Sequence, residues 1–300
     1  MVFRKVLLLT ISIAACSEAV AWGPLTHLYF AKRILRETYN TDILYGAMAP
    51  DFAEAIMGNP SLSSDLHYVT HHQFDAVEGS LLGMGLATHN GDWGTDWYAH
   101  HYYQDPTDDL YSTVKIRQLS TEFGLTMNSA ENVFEGTIDF LIRRDYGLAI
   151  GVLMAHCGSG PDYADELAAA FAGPLSSRSG VSLGTADTAI RQAAGLFHTL
   201  VGLYGQVLQE DDAILEEYAL ALIMGYIGCD ETAAAQYFTR CIEICEDDYQ
   251  AELDRIVGLV RAEMWSHGYR LPLDAALLAL AMAAVGAWFL WRRRPVKARI

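Results

Sequence analysis

Between positions 22 and 269, apolar residues recur three and four places apart, the spacing that gathers them on one face of an α-helix. The pattern predicts helices over 25–35, 81–87, 133–142, 189–207, 213–227 and 233–260, and no run alternates apolar with polar residues convincingly. The expected fold class is therefore all-α, a multi-helix domain. Gly, Pro and short polar residues break the pattern at 58–64, 91–96, 105–109, 158–161 and 173–184. The last stretch, beginning Gly-Pro-Leu-Ser-Ser-Arg-Ser-Gly, is the most linker-like. It either divides a site-bearing N-terminal half from a C-terminal bundle or crosses one continuous core.

The two ends follow other rules. Residues 1–21 hold an early positive pair, Arg4 and Lys5, an apolar run over 6–15, and the small-x-small triplet Ala19-Val20-Ala21. This is the composition of a secretory signal, whose removal leaves Trp22 first. Ile13-Ala14-Ala15-Cys16 also looks like a lipoprotein cleavage box, which would instead leave a lipidated Cys16. Residues 271–291 carry one charge, Asp274, and at about 1.5 Å per residue a helix of that length spans a bilayer's hydrocarbon core. Arg292, Arg293, Arg294, Lys297 and Arg299 follow, and such basic flanks stay in the cytoplasm. The expected organisation is a signal (1–21), an extracytoplasmic domain (22–270), one transmembrane helix (271–291) and a basic cytoplasmic tail (292–300). The protein is then single-pass in the cell membrane.

With 300 residues, 52% of them hydrophobic and 19% charged, the chain can bury a sizeable core, which excludes a disordered or collagen-like protein. The formal net charge is −17, and the two ends take Arg4, Lys5 and the five tail bases out of a total of 20 Lys and Arg, so the domain itself is more acidic still. Such a surface repels nucleic acid and anionic lipid at long range unless cations intervene, and it favours either bound metal ions or a salty habitat. No nucleic-acid partner is favoured. The domain's cysteines are Cys157, Cys229, Cys241 and Cys245. An external location permits disulfides, and buried free thiols fit nearly as well.

The histidines cluster. His27, His67, His71, His72, His89, His100 and His101 lie between positions 27 and 101, interleaved with Asp51, Asp65, Asp75, Asp92 and Asp96. A multinuclear metal site needs imidazole nitrogens and carboxylate oxygens converging on one pocket, whereas a solvated surface rarely concentrates His in this way. Trp22-Gly-Pro-Leu-Thr-His27 puts a His in the first helical turn, five residues after the expected mature terminus. A free α-amino group there loses its proton readily to a metal and chelates it together with its own carbonyl oxygen. Ala47-Met-Ala-Pro50-Asp51 sets a carboxylate after a helix-ending proline, as a metal ligand or as a helix cap. In the stretch from Thr88 to His101, His89, Asp92, Asp96, His100 and His101 surround a Gly-containing loop, and Asp96 and His100 share a face if Asp96 opens a helix.

In this order of residues the chain resembles the zinc-dependent phospholipase C family, which shares an all-helical fold and a tri-zinc site with fungal single-strand-specific nucleases. The resemblance covers roughly residues 22–160, and its most specific element is the spacing from Trp22 to His27. It implies that Trp22 chelates one zinc through its amino and carbonyl groups with His27 beside it. Asp51, His71 or His72, and His89 would hold a second, and a carboxylate would bridge the two. The family carries that carboxylate four residues after the His, where this chain has Trp93; Asp92 and Asp96 flank the place, and Asp96 is preferred for its phase with His100. His100 or His101 would serve a third zinc, but no later His has an acidic residue four places on.

Glu131, Glu135 and Asp139 recur every four residues and offer a stand-in, with Glu135 the candidate ligand; the alternative is an exposed stripe in which Asp139 pairs with Arg143. Elsewhere, His198 reads as a core or interhelical residue and His267 as an interfacial one, and no phosphate-binding loop, dinucleotide fingerprint or nucleophile elbow is present. The activity expected is that of a membrane-anchored, outward-facing phosphodiester hydrolase with two or three zinc ions, acting on phospholipid or another phosphodiester. Asp51 would orient the attacking water. A single-strand nuclease or a non-catalytic metal-binding ectodomain are the alternatives.

Overall fold

A computed structural model describes residues 22–269 apart from 37, 57, 78, 101–106 and 108, and the backbone but not the side chain of His100. The signal at 1–21 with Cys16, the anchor at 271–291, the tail at 292–300 and His101 lie outside the described residues. Among the described residues there is no strand, and no helix is long and apolar enough to cross a membrane. The all-α expectation holds for this part of the chain.

Local chemistry explains where the N-terminal helices start. Helix α1 (Pro24–Ile34) opens on a proline, whose missing N–H is one the first turn leaves unused in any case. Helix α2 (Thr41–Met48) begins where Asn40 accepts the Ile43 N–H, and it tightens into a 3-10 segment (Ala49–Ala55) containing Pro50 and Asp51. Asn59 and Ser80 cap α3 (Pro60–His72) and α4 (Leu81–His89) in the same manner. A short helix α5 (Thr95–His100) follows. Predicted breaks thus become caps: the 58–64 stretch is mostly helix, because Pro60 suits a first turn.

The C-terminal part comprises α6 (Tyr111–Phe123), α7 (Met127–Tyr146), α8 (Leu148–Cys157), α9 (Ala164–Ser179), α10 (Leu183–Val207), α11 (Asp212–Ile227), α12 (Glu231–Cys245) and α13 (Tyr249–Ser266). Two expectations are corrected here. The run predicted over 233–260 is two helices, broken at 246–248. The linker-like Gly173-Pro174 lies inside α9, which buries Leu167, Phe171 and Leu175 and ends only at Gly180, with φ +75°. Burial of one face outweighs the hydrogen bond that Pro174 cannot make. The buried apolar residues from Trp22 to Met264 form one cluster running across this stretch. The four described cysteines are free thiols.

Candidate metal centre

The two helices that frame the site approach more closely than most side chains allow. A Cβ on Gly46 of α2 would fall 2.2 Å from the Leu82 carbonyl oxygen of α4, and one on Gly85 would fall 2.1 Å from that of Ile43. Glycine at both positions lets the backbones touch. The contact brings His89, at the end of α4, under the turn from α2 into the 3-10 segment, where its Nδ1 donates to the Ala47 carbonyl at 2.7 Å. His71, near the end of α3, likewise donates from Nδ1 to the His67 carbonyl at 2.7 Å. His27 of α1 turns its Nδ1 to the Thr95 hydroxyl, 3.2 Å away.

With Nδ1 engaged in each ring, the Nε2 atoms point inward. Those of His71 and His89 stand 3.0 Å apart. Asp51 Oδ1 lies 3.6 Å from His71 Nε2 and 3.5 Å from His89 Nε2, and Asp51 Oδ2 lies 3.8 Å from His27 Nε2. Asp96 Oδ1 is 3.9 Å from both His71 and His89. Donors held about 2.0–2.2 Å from one four-coordinate ion stand roughly 3.3–3.6 Å from each other. A neutral imidazole that donates from Nδ1 has only a lone pair at Nε2. Two such lone pairs facing each other and two carboxylates are an arrangement that a cation satisfies. Ligand atoms of His27, Asp51 and His89, and of His71, His89 and Asp96, lie within 4.8 Å of one another, and all five residues are buried. These buried His and Asp clusters could hold a metal ion.

The loop from His89 to Asp96 explains how an acid seven residues on reaches the centre. Asn90, fully buried, accepts the N–H groups of Asp92, Trp93 and Gly94 on its one Oδ1 and donates to the Ala87 carbonyl. Gly91 donates to the His71 carbonyl at 3.0 Å. The turn folds the chain back so that α5 starts with Asp96 facing the imidazoles. His72 and Asp92, both candidate ligands on sequence, are not in the cluster: they bind each other at 2.6 Å, with side chains 33% and 49% exposed. One helical position separates His71 from His72 and turns the second ring outward.

Trp22 is buried beside this support. Its indole donates to the Thr95 carbonyl at 3.1 Å, and its ring packs on Phe30 and Phe134. The stripe on α7 differs from an exposed ion-paired one, since Glu131, Glu135 and Asp139 are all buried. Asp139 accepts the Leu25 and Thr26 N–H groups and the Thr26 hydroxyl, capping α1 from another helix. Tyr204 donates to it as well. Burial nevertheless pushes its carboxyl up to about 6, against those hydrogen bonds. Arg143 turns away to the Leu208 and Glu210 carbonyls. Glu135 is pushed well above the usual carboxylate range by burial and then by the charges of Glu131, Asp51, Asp139 and Asp96. It therefore belongs to the same pool of negative charge. Side chains His100 and His101 fall outside the described set.

Several supporting groups carry no signal in the sequence pattern. Glu54, 7% exposed, meets His67 Nδ1 at 3.2 Å, and the His67 ring stacks on His71 at 3.8 Å. Thr70 bridges the Pro50 carbonyl and His71 Nδ1. His67 is the exception, signalled by its place four residues before His71. No family model, curated protein or solved structure matches the chain.

Proposed function

We propose that the chain is a zinc-dependent phosphodiester hydrolase of phospholipase C type, tethered by segment 271–291 with its helical domain outside the membrane. One observation carries the reading: three buried imidazoles, each anchored through Nδ1, aim Nε2 at the carboxylates of Asp51 and Asp96. The donor set fits zinc, which takes imidazole nitrogen and carboxylate oxygen and in catalytic sites keeps a position open for water. Asp51, His71, His89 and Asp96 would hold one ion. His27 would hold a second with the terminal amine of a processed Trp22, and Glu135 is the candidate for a third. Bound zinc would acidify a water and neutralise charge on the phosphoryl oxygens.

The chain's own groups supply the rest. Asp51 faces both the imidazoles and a cavity of about 140 Å³, so it can orient a water toward a phosphate entering from that side. Beyond the acids Asp51, Glu54, Glu135 and Asp139, the cavity is lined mostly by apolar side chains, with Asn132 and three tyrosines among them, which suits a lipid better than a polyanionic strand. Full-length protein in nanodiscs is expected to contain two or three zinc ions and to hydrolyse phosphatidylcholine in preference to single-stranded DNA. Zinc without turnover of any phosphodiester would reduce the proposal to a metal-binding ectodomain, and preferred cleavage of the DNA would make it a nuclease.

A further inference from the structure

The loop that supplies Asp96 is gripped from two sides. Within the loop, Asn90 ties down the N–H groups of residues 92–94. The packing is tight: a Cβ on Gly94 would fall 2.6 Å from backbone atoms of Asn90, and one on Gly91 would fall 3.2 Å from Asp96 Oδ2. Thr95 meets His27 Nδ1 with its hydroxyl and takes the Trp22 indole N–H on its carbonyl. A shift of this stretch therefore moves Asp96 directly and His27 through Thr95. The second grip is the ring of Trp93, which stands four residues after His89, where the phospholipase pattern carries its bridging carboxylate. That half-buried ring meets Phe74 edge-on at 5.5 Å, Tyr269 at 6.2 Å, and His267 face to face, with centroids 4.8 Å apart and planes within 9°. His267 reaches it because α13 stops there: Gly268 takes φ +85°, and the Tyr269 N–H returns to the Met264 carbonyl at 2.9 Å. Helix α13 is itself fixed to α1, which carries His27, through Arg261 donating to the Arg33 and Ile34 carbonyls.

We propose that His267 is a positioning residue of the metal centre: stacked on Trp93, it straps the 90–96 loop into the arrangement that presents Asp96 and, through Thr95, His27 to the ion. The inference rests on the metal reading of the cluster and not on turnover. A site whose loop is closed in only a fraction of molecules binds its ion with the intrinsic Kd divided by that fraction. A stacked aromatic pair shifts such an equilibrium by a factor of roughly two to ten. Removing the strap leaves every ligand in the chain and weakens binding by that factor. His267 thus acts through Trp93 and touches no ligand itself.

The test is zinc binding by the full chain in nanodiscs, titrated at buffered free zinc, together with hydrogen exchange. His267→Ala is expected to raise the zinc Kd roughly twofold to tenfold, and His267→Phe, which keeps a flat ring on Trp93, to restore it. In a Trp93→Leu background the further change to His267→Ala should have little effect, because the partner of the stack is already gone. Without zinc, the amides of residues 92–94 should exchange faster in His267→Ala than in the wild type while those of α7 stay unchanged, and saturating zinc should slow them again. An unchanged Kd in His267→Ala overturns the proposal, as does an exchange rate that rises in α7 as much as in the loop. Failure of His267→Phe to restore binding overturns it too, and this comparison decides the matter should Trp93→Leu not fold. A wild type that binds no zinc overturns the strap and the metal reading together. Normal zinc binding with the expected variant effects and no hydrolysis of any phosphodiester leaves the strap standing and removes only the hydrolase reading.

Discussion

His89 is fixed at one ring nitrogen by the Ala47 carbonyl and faces His71, Asp51 and Asp96 with the other. Removing its ring takes away a donor that belongs to both ligand groupings. His89→Ala is expected to lose bound metal, and because metal binding in a site of this kind is folding free energy, its melting temperature should fall as well. His72→Ala is the control. Its exposed pair with Asp92 contributes roughly 0–1 kcal/mol, and metal content should match the wild type. Metal analysis and calorimetry on both variants check the pair; equal metal loss in the two would mean that the rings had been assigned the wrong way round. Both histidines are candidates on sequence, and the choice between them depends on which side of α3 meets the 3-10 segment. The same holds for Asp92 and Asp96, which a turn built on Asn90 separates into a rim residue and a buried one.

At the scale of elements, the site depends on the contact between α2 and α4 more than on any long helix. Gly46→Ala would set a methyl group 2.2 Å from the Leu82 carbonyl oxygen, a backbone atom that cannot swing aside. Forcing the two helices apart is expected to cost about 3 kcal/mol. It should also displace His89 relative to Asp51, so the variant should lose both denaturant midpoint and metal affinity. Gly136→Ala on α7, where an added Cβ meets nothing within 4 Å, should leave both unchanged or slightly improved. Helical periodicity located α1, α4, α7 and α10 to α13. It passed over α2, α3, α5, α6, α8 and α9, among them α3, which carries His71 and gives part of its surface to the site instead of to an apolar stripe.

Across the whole molecule, buried acids gather around one point although the chain already carries a net charge of −17. Asp51, Asp96, Glu131 and Glu135 are each no more than 5% exposed, and mutual repulsion is among the causes that push Glu135 upward. A bound cation relieves that repulsion. Metal removal by chelation is therefore expected to lower stability by about 4 kcal/mol relative to protein at a free metal concentration roughly a thousand times the Kd. Thermal melts with and without chelator, and after zinc is added back, measure this; identical melts would show that the acids are stable without an ion. The sequence by itself determined the helical class, because a period of three and four is a local property, and it named a pool of His and Asp rich enough for metal chemistry. Which members of that pool meet was decided only by tertiary structure. The selection rests on close helix contact at two glycines, on an Asn-centred turn, and on the backbone carbonyls that hold the outer nitrogens of His71 and His89, the second of them 42 residues away in the chain.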